Sequence, residues 1–379
     1  MTPLVLAYGA AGGWGLAALI AAAAGQTRWG MRACCVPSAL GGAAAAGGGA
    51  WALISTDTHV VTLGGAAASG AIVGGSLQLQ LTSLAGAFVA LLGVVAVAIA
   101  LYAPRYHEPG RGTGLYLAVY NLALLACLTV LAAGGMVTFL VAWETMSLLC
   151  YLLILRHPGR PGVARGAFWF LALSEIGFLL IVAAFVILSA KTHVTEFGAM
   201  AARAHLVPGG WRDAAYLLAL AGFGFKAGLV PLHVWLPEAH PVAPADGSAF
   251  LSGVVVKIGV YGIALFAFRL LPGGGSWPGL LTMAAGAVTA AIGILYALSE
   301  RDIKRFLAYS TIENIGIIVT AFGAAMVFTP TGSRPCGRSC CWPGFITSPT
   351  TGATRRCCSW RPVSSSTRPE PGTWTGSAA

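Results

Sequence analysis

Two lysines stand in the middle of strongly apolar stretches of this chain, where a charge is costly. Lys226 lies in the run FGFKAGLVPLHVWLP, and Lys257 lies in LSGVVVKIGVYG. A lysine at the centre of a membrane helix costs about 2.5–3.5 kcal/mol on insertion scales, and such residues mark ion and proton pathways. The alternative for Lys226 is snorkelling to an interface, but about a dozen apolar or small residues precede it. The placement of these lysines therefore indicates proton chemistry inside a membrane.

Three carboxylates also fall inside apolar runs, and each is a candidate partner for a buried lysine. Glu144 lies in the middle of FLVAWETMSLLCYLL, and Glu175 and Glu313 lie in two further runs. A carboxylate that moved towards or away from Lys226 would switch the affinity of that lysine for a proton. A switch worth about 2.7 kcal/mol exceeds the roughly 2.3 kcal/mol needed to move one charge across 100 mV, so it could drive a proton uphill. The alternative is that these carboxylates are structural, either paired or protonated.

A proline interrupts the apolar run that contains Lys226. Pro231 has no backbone N–H, so it leaves the carbonyl of Ala227 without its usual helical donor and predicts a broken helix. Broken helices occur within membranes where they line a polar cavity. His233 falls on the face of Lys226 if the helix resumes, where it could exchange protons; a hydrogen-bonded histidine at a helix end is an equal alternative. The next turn contains polar residues that form a polar entrance or are simply solvated: Glu238, His240 and Asp246.

The composition is that of a membrane protein with several spans. Of 379 residues, 57% are hydrophobic and 9% are charged, and the mean hydropathy is +0.79. Soluble domains carry roughly 25% charged residues. The net charge of +10 comes largely from arginines in loops and in the tail, without a basic stripe interleaved with aromatics, so it does not indicate nucleic-acid binding. The nine cysteines lack the paired spacing of a zinc or iron–sulfur site, and the sequence predicts no metal and no cofactor.

Ten apolar runs predict ten transmembrane helices, so the fold class is an all-α polytopic membrane protein. The predicted helices lie near 3–24, 34–54, 82–103, 115–133, 135–155, 166–190, 214–236, 246–268, 277–298 and 307–328. No Lys or Arg precedes the first run, which favours a membrane helix over a signal peptide. Residues 55–81 predict an ordered loop or a hairpin, since Gln78 to Leu81 alternate in polarity. The glycines from Gly41 to Gly49 predict a close helix-packing surface.

The arginines and lysines between the predicted helices indicate how the chain is oriented. With the N-terminus outside, the inner loops would hold ten of them and the outer loops four, in agreement with the excess of positive charge in cytoplasmic loops. The inner set is Arg28, Arg32, Arg105, Arg111, Arg156, Arg160, Arg165, Arg301, Lys304 and Arg305. The outer set is Lys191, Arg203, Arg212 and Arg269. The predicted location is therefore the cell inner (plasma) membrane, multi-pass, with the N-terminus outside.

Four segments around these charges resemble one known family. They are AWETMSLLCYLLI, FGFKAGLVPLHVWLPEAHPVAP, LSGVVVKIGVYGI and YSTIENIGII. Together they resemble the antiporter-like, proton-conducting membrane subunits of respiratory complex I (NADH-quinone oxidoreductase), of multisubunit cation/proton antiporters and of energy-converting hydrogenases. The resemblance covers about residues 80–328. The run around Glu313 and the form PLHVWLPEAHP are most similar to the hydrogenase-4 component B and formate hydrogenlyase branch of the family.

The resemblance implies a fold of fourteen helices that contains two inverted five-helix repeats, each with a broken helix. It implies that Glu144 is the carboxylate, that Lys226 on broken helix seven is the pump lysine, and that Lys257 is the central relay. The redox centres of such complexes lie in partner subunits, so this chain would bind no cofactor. The implied divisions are 1–110 for helices one to three, 111–270 for the first repeat, 271–329 for two helices of the second repeat, and 330–379 for a tail.

The tail departs from the family pattern. Residues 330–379 are rich in Pro, Ser, Thr, Arg and Cys, a composition typical of disorder, and they supply no second broken helix. The tail sequence VSSSTRPEPGTWTGSA can be encoded by GC-rich codons. The same nucleotides, read two positions later, encode VEHATGTRDMDRLGG. This second string resembles the connection after the family's eleventh helix. We therefore hypothesise a truncation or a frameshift near residues 330–340, in the gene or in its sequencing.

The function that this sequence favours is that of a proton-translocating membrane subunit of a redox-driven complex of the hydrogenase-4 or NADH-quinone oxidoreductase type. Such a subunit has no catalytic residues of its own and moves protons through buried Glu and Lys residues. Its expected partners are other membrane and peripheral subunits, the lipid bilayer and protons. The alternatives are a subunit of a cation/proton antiporter and an inactive truncated fragment or scaffold.

Overall fold

The computed structural model describes residues 3–55, 59–63, 77–272 and 276–328, and these residues are almost entirely helical. The longer helices are α1 (Pro3–Ala24), α2 (Arg28–Ile54), α3 (Ser83–Tyr106), α4 (Arg111–Ala132), α5 (Met136–Ile154), α6 (Val163–Thr192), α8 (Gly209–Ala227), α12 (Trp277–Ser299) and α13 (Ile303–Phe328). The shorter ones are α7 (Phe197–Ala202), α9 (Trp235–Val242), α10 (Ala245–Phe250) and α11 (Val256–Ala264). One 3₁₀ turn (Ala204–Leu206), two π-helical segments (Leu251–Val255 and Leu265–Leu270) and the strands β1 (His59–Leu63) and β2 (Leu77–Leu81) complete the described elements.

The long helices make this a multi-pass membrane protein. Among the described residues, eight helical stretches are long and apolar enough to cross a bilayer, including the continuous run Ala245–Leu270. Each of the ten predicted segments coincides with helix, mostly within a few residues at either end. The helix α2 begins at Arg28, earlier than the predicted 34, because the Thr27 hydroxyl accepts a hydrogen bond from the Gly30 N–H and caps the helix. The predicted tail, 330–379, lies outside the described residues.

The predicted hairpin is present. Strands β1 and β2 pair antiparallel, with His59 opposite Leu81. The carbonyl of Gln78 accepts from the Gly134 N–H at 2.8 Å, and the Gln78 side-chain amide donates to Glu196 at 2.6 Å. The hairpin therefore joins the α4–α5 connection to the start of α7.

Glycines let two helix pairs approach closely. The predicted surface on α2 is confirmed: a Cβ added at Gly49 would lie 2.5 Å from the Gly86 carbonyl oxygen, and one added at Gly93 would lie 2.4 Å from that of Gly42. Helices α12 and α13 pack closely in the same way, because Gly316 and Gly323 of α13 lie against the backbone of α12. Such small-residue contacts hold membrane helices together in the absence of a hydrophobic driving force.

Six aromatic rings fill the space between α5, α6, α7, α8 and the second π-helical segment. Neighbouring rings lie with centroids 4.9–6.0 Å apart, as stacked, tilted or edge-on pairs. The members of this aromatic cluster are Phe139, Trp143, Phe185, Phe197, Phe223 and Phe266, each at most 1% exposed. The cluster extends from the turn of α8 that precedes Lys226 to α7.

Candidate functional site

The helix that carries Lys226 ends inside the apolar region. Gly228 adopts a left-handed conformation with φ +77°, which closes α8 at Ala227. The N–H groups of Gly228 and Leu229 both donate to the Gly224 carbonyl, as in a glycine-terminated helix. The predicted break is present, but it begins three residues before Pro231 because the glycine already ends the helical hydrogen bonding. The break spans 228–234, and helix resumes at Trp235.

Two side chains satisfy the backbone groups that this break exposes. The indole N–H of Trp235 donates to the Phe225 carbonyl at 2.7 Å, and the N–H of Val230 donates to the Thr289 hydroxyl of α12 at 3.1 Å. Both Trp235 and Thr289 are buried. An unsatisfied backbone group in an apolar medium costs several kcal/mol, so these two contacts stabilise the interrupted helix at this depth.

Lys226 is buried and surrounded by a small set of polar groups. Its side chain is 2% exposed, which excludes snorkelling. The ammonium group donates to the hydroxyls of Ser147 on α5 and Ser174 on α6, at 3.0 and 3.2 Å. It also lies 4.4 Å from the centroid of the Phe170 ring, in a cation–π contact.

Two of the predicted carboxylates lie near this lysine. The carboxyl groups of Glu144 and Glu175 act electrostatically on each other, and both act on Lys226. Within the described part of the chain, no carboxylate oxygen lies within 4.0 Å of the Lys226 ammonium, so its direct polar partners are the two serine hydroxyls.

His233 and Pro231 both lie in the break rather than on a helix. The expectation that His233 shares a helical face with Lys226 is wrong, because residues 228–234 are not helical and the seven-residue spacing no longer sets the direction of the side chain. The Nδ1 atom of His233 is buried and has no hydrogen-bond partner among the described residues. The Val230–Pro231 peptide bond is cis.

Lys257 is the second residue of α11, which follows the π-helical segment Leu251–Val255. Its ammonium group donates to the Ser252 carbonyl, five residues earlier, at 2.5 Å. The side chain is partly buried, and a second π-helical segment follows α11. π-Helical turns often occur at functional sites. Here the carbonyl of Ser252, within such a turn, accepts from a lysine within the span.

The polar residues after the break are held by specific partners. His240 and Asp246 are 1% and 2% exposed, so the alternative that they are solvated is wrong. His240 Nδ1 lies 2.6 Å from the Ser248 hydroxyl, and both Lys257 and Lys304 act on the histidine electrostatically. Lys304 donates to the carbonyls at the end of α9, at 2.8 and 3.3 Å.

The two acids of this turn have different partners. Asp246 accepts from His107 at 2.8 Å and from the Tyr116 hydroxyl at 3.0 Å, which joins α10 to the ends of α3 and α4. Glu238 lies 3.2 Å from Arg165 and is partly exposed. Of these two acids, Asp246 is the buried one, held by two side chains, whereas Glu238 is partly exposed.

Glu313 lies apart from the other predicted residues. It is on α13, where its backbone packs against Gly293 of α12. It is not among the groups that act on Lys226. The structure thus brings Lys226, Glu144 and Glu175 together, places Lys257 on the neighbouring helix and leaves Glu313 outside this site.

Sequence reasoning missed Ser147 and Ser174, the direct partners of Lys226. A signal was available for Ser147 alone, which lies three residues after Glu144. Residues three apart share a helical face, so this carboxylate and hydroxyl turn towards the same side, whereas Ser174 and Glu175 are adjacent and do not.

Replacing Ser147 or Ser174 by alanine should slow proton translocation by roughly tenfold each, because each variant removes one hydrogen bond to a charged group. Proton uptake into vesicles is the measurement. Ser310→Ala is the matched control, because the Ser310 hydroxyl bonds within its own helix at a half-buried position away from Lys226. Wild-type rates in both site variants would contradict a role for these hydroxyls.

The sequence of the described helices matches a family model over residues 133–330, just over half of the chain. That family is described as NADH:quinone oxidoreductase/Mrp antiporter, transmembrane. The chain belongs to this family. The matched residues contain α5 to α13, and thus the broken helix, Lys226, Glu144, Glu175 and Lys257.

Two curated relatives and one solved structure show which members of the family this chain is similar to. Hydrogenase-4 component B of Escherichia coli is 38% identical over 255 residues, which are 66% of this chain and 38% of that protein. Formate hydrogenlyase subunit 3 of the same organism is 34% identical over 269 residues, which are 70% and 42% of the two chains. A chain in the structure of the Mrp complex from Dietzia superposes with a TM-score of 0.72 at 25% identity, covering 85% of this chain and 34% of that one. This chain therefore spans about two fifths of the curated relatives it matches.

Proposed function

We propose that this chain translocates protons as a membrane subunit of a redox-driven complex of the hydrogenase-4 or NADH-quinone oxidoreductase type. One observation carries the proposal: a lysine that is 2% exposed sits at the end of a broken membrane helix, hydrogen-bonded to two hydroxyls and close to two carboxyl groups. A buried charge costs free energy unless its surroundings compensate it, and intramembrane sites of this kind mark proton relays.

The geometry gives each group a role in this proposal. The neighbouring carboxyl groups of Glu144 and Glu175 would supply a proton to Lys226 or accept one from it. The hydroxyls of Ser147 and Ser174 accept from Lys226, and a hydroxyl that accepts can also donate, so each could pass a proton away from the lysine. Lys257 lies on α11, which packs against α8 next to Lys226, so Lys257 would be the next residue to take up the proton. Partner subunits would supply the redox centres, and the plasma membrane, with the N-terminus outside, would be the location.

A second candidate is a subunit of a cation/proton antiporter that works without redox chemistry. Two observations favour it: the family description includes the Mrp antiporter, and the chain superposes on a subunit of an Mrp complex. The same buried lysine and carboxyl pair would then exchange protons against a cation that enters elsewhere in the complex.

Inverted membrane vesicles from cells that carry the intact gene, or a deletion of it, would distinguish the two functions. A redox substrate, either hydrogen or NADH, is added first, and acidification of the vesicle interior is followed with a pH-sensitive dye. In a second assay the vesicles are acidified by another pump and sodium is added. We expect redox-driven acidification to decrease in the deletion strain and to return when the full-length gene is restored.

Each outcome has a distinct meaning. Loss of redox-driven acidification with unchanged sodium response supports the redox-driven pump. Loss of the sodium-dependent collapse of the pH gradient, with redox-driven acidification unchanged, supports the antiporter. Vesicles from the two strains that behave alike in both assays would contradict both functions.

A further inference from the structure

A cleft between α2 and α3 lies away from the buried lysines. It has a volume of about 650 Å³ and begins just beyond the contact of Gly42 with Gly93, where the two helices meet through glycine. Most of its lining is apolar. The apolar residues that line it include Val36, Ala39, Leu40, Ala43, Val97 and Leu101. Val36, Leu40 and Leu101 are 60–66% exposed, so the cleft presents large apolar side chains to the bilayer.

The cleft continues into a polar pocket at the membrane surface. This pocket has a volume of about 390 Å³ and shares Arg32 and Arg105 with the cleft. Arg28 adds a third guanidinium group, and Glu108 adds one carboxylate, so the pocket keeps an excess of positive charge. Within the described part of the chain, none of these three arginines forms an ion pair with a carboxylate.

The apolar cleft and the basic pocket together indicate which kind of molecule fits this site. A free anion would use the arginines but would leave the apolar cleft empty. A neutral lipid would use the cleft but would leave the arginines without an anionic partner. A molecule with an anionic head and an apolar chain matches both parts, and basic pockets between membrane helices bind anionic lipid headgroups.

We propose that this cleft and pocket form a binding site for an anionic phospholipid. The phosphate lies between Arg32 and Arg105, with Arg28 beside it, and an acyl chain runs along the cleft towards the glycine contact. The site joins α2 to α3 through the lipid, at the end where the two helices no longer touch through glycine.

Native mass spectrometry of the full-length chain in detergent tests the proposal, with phosphatidylglycerol and phosphatidylcholine as probes. We expect the wild type to retain phosphatidylglycerol preferentially. The double variant Arg32→Gln/Arg105→Gln should bind it about tenfold more weakly, because each arginine near a membrane surface contributes to anionic-lipid affinity. The control Arg160→Gln/Arg301→Gln removes the same charge from exposed positions in other loops and should retain wild-type binding.

A second variant separates a lipid from a bound anion. Ala39→Phe fills the cleft without changing the charge, and it should weaken phosphatidylglycerol binding as well. Loss of binding in the arginine variant with wild-type binding in Ala39→Phe would mean that the pocket takes only a phosphate group, and would overturn the proposal. Equal retention of the two lipids would also overturn it, as would cross-linking that places another protein subunit on Leu40. Circular dichroism verifies that each variant is folded.

Discussion

Replacing Lys226 by methionine is expected to reduce proton translocation to background, a loss of about a hundredfold or more. Methionine fills a similar volume but cannot carry a proton. The variant should remain in the membrane, because the exchange removes a buried charge and the Ser147 hydroxyl keeps its bond to the Trp143 carbonyl. The measurement is redox-driven acidification of vesicles, normalised to the amount of the chain in the membrane.

Two further variants give this experiment its controls. Lys226→Arg keeps the positive charge but cannot release a proton at physiological pH, so it should fail like Lys226→Met if proton transfer is the role. Lys191→Met makes the same exchange at the end of α6, where the lysine lies over Trp211, and should behave as wild type. Full activity of Lys226→Met would refute the role, and activity of Lys226→Arg alone would assign Lys226 a purely structural charge.

Replacing Gly259 by valine is expected to destabilise the protein by roughly 1–3 kcal/mol or more, through overpacking. A Cβ added at Gly259 would lie 2.6 Å from the backbone nitrogen of Ala227, the residue directly after Lys226. Backbone atoms cannot rotate away, so α11 must move from α8. We expect a lower melting temperature in detergent and a loss of proton translocation, since the displacement also disturbs the surroundings of Lys226.

Gly15→Val is the matched control for this substitution. No atom lies within 4 Å of a Cβ added at Gly15 of α1 among the described residues, so the same change of side chain should leave the melting temperature close to that of the wild type. Equal melting temperatures for the Gly259 variant and the wild type would show that α11 and α8 tolerate separation here, and would contradict the close packing.

The fold was largely predictable because hydrophobic runs determine where membrane helices lie. The break near Lys226 was predicted from Pro231, yet its start was not, because a left-handed Gly228 is not distinguishable by sequence from other helical glycines. The cap on Val230 comes from Thr289, which is 59 residues away, and no local pattern indicates such a pair.

The charged residues of the site could be predicted from the sequence, but their contacts could not. Glu144, Lys226 and Lys257 stood out because ionisable residues in apolar runs are costly. Ser147 and Ser174 did not, since serine is common in membrane helices and only the crossing of α5, α6 and α8 brings both hydroxyls to one ammonium group. For Asp246, burial depends on His107 and Tyr116, which precede it by 139 and 130 residues.

The aromatic cluster limits where a proton on Lys226 could travel. Its six rings contain no group that titrates near neutral pH, are at most 1% exposed, and occupy the path from the turn before Lys226 to α7. In the proposed function, these rings would block proton leakage from Lys226 towards α7. The polar partners of the lysine, the hydroxyls of Ser147 and Ser174, lie on α5 and α6, so proton transfer to and from Lys226 would run between helices rather than along α8.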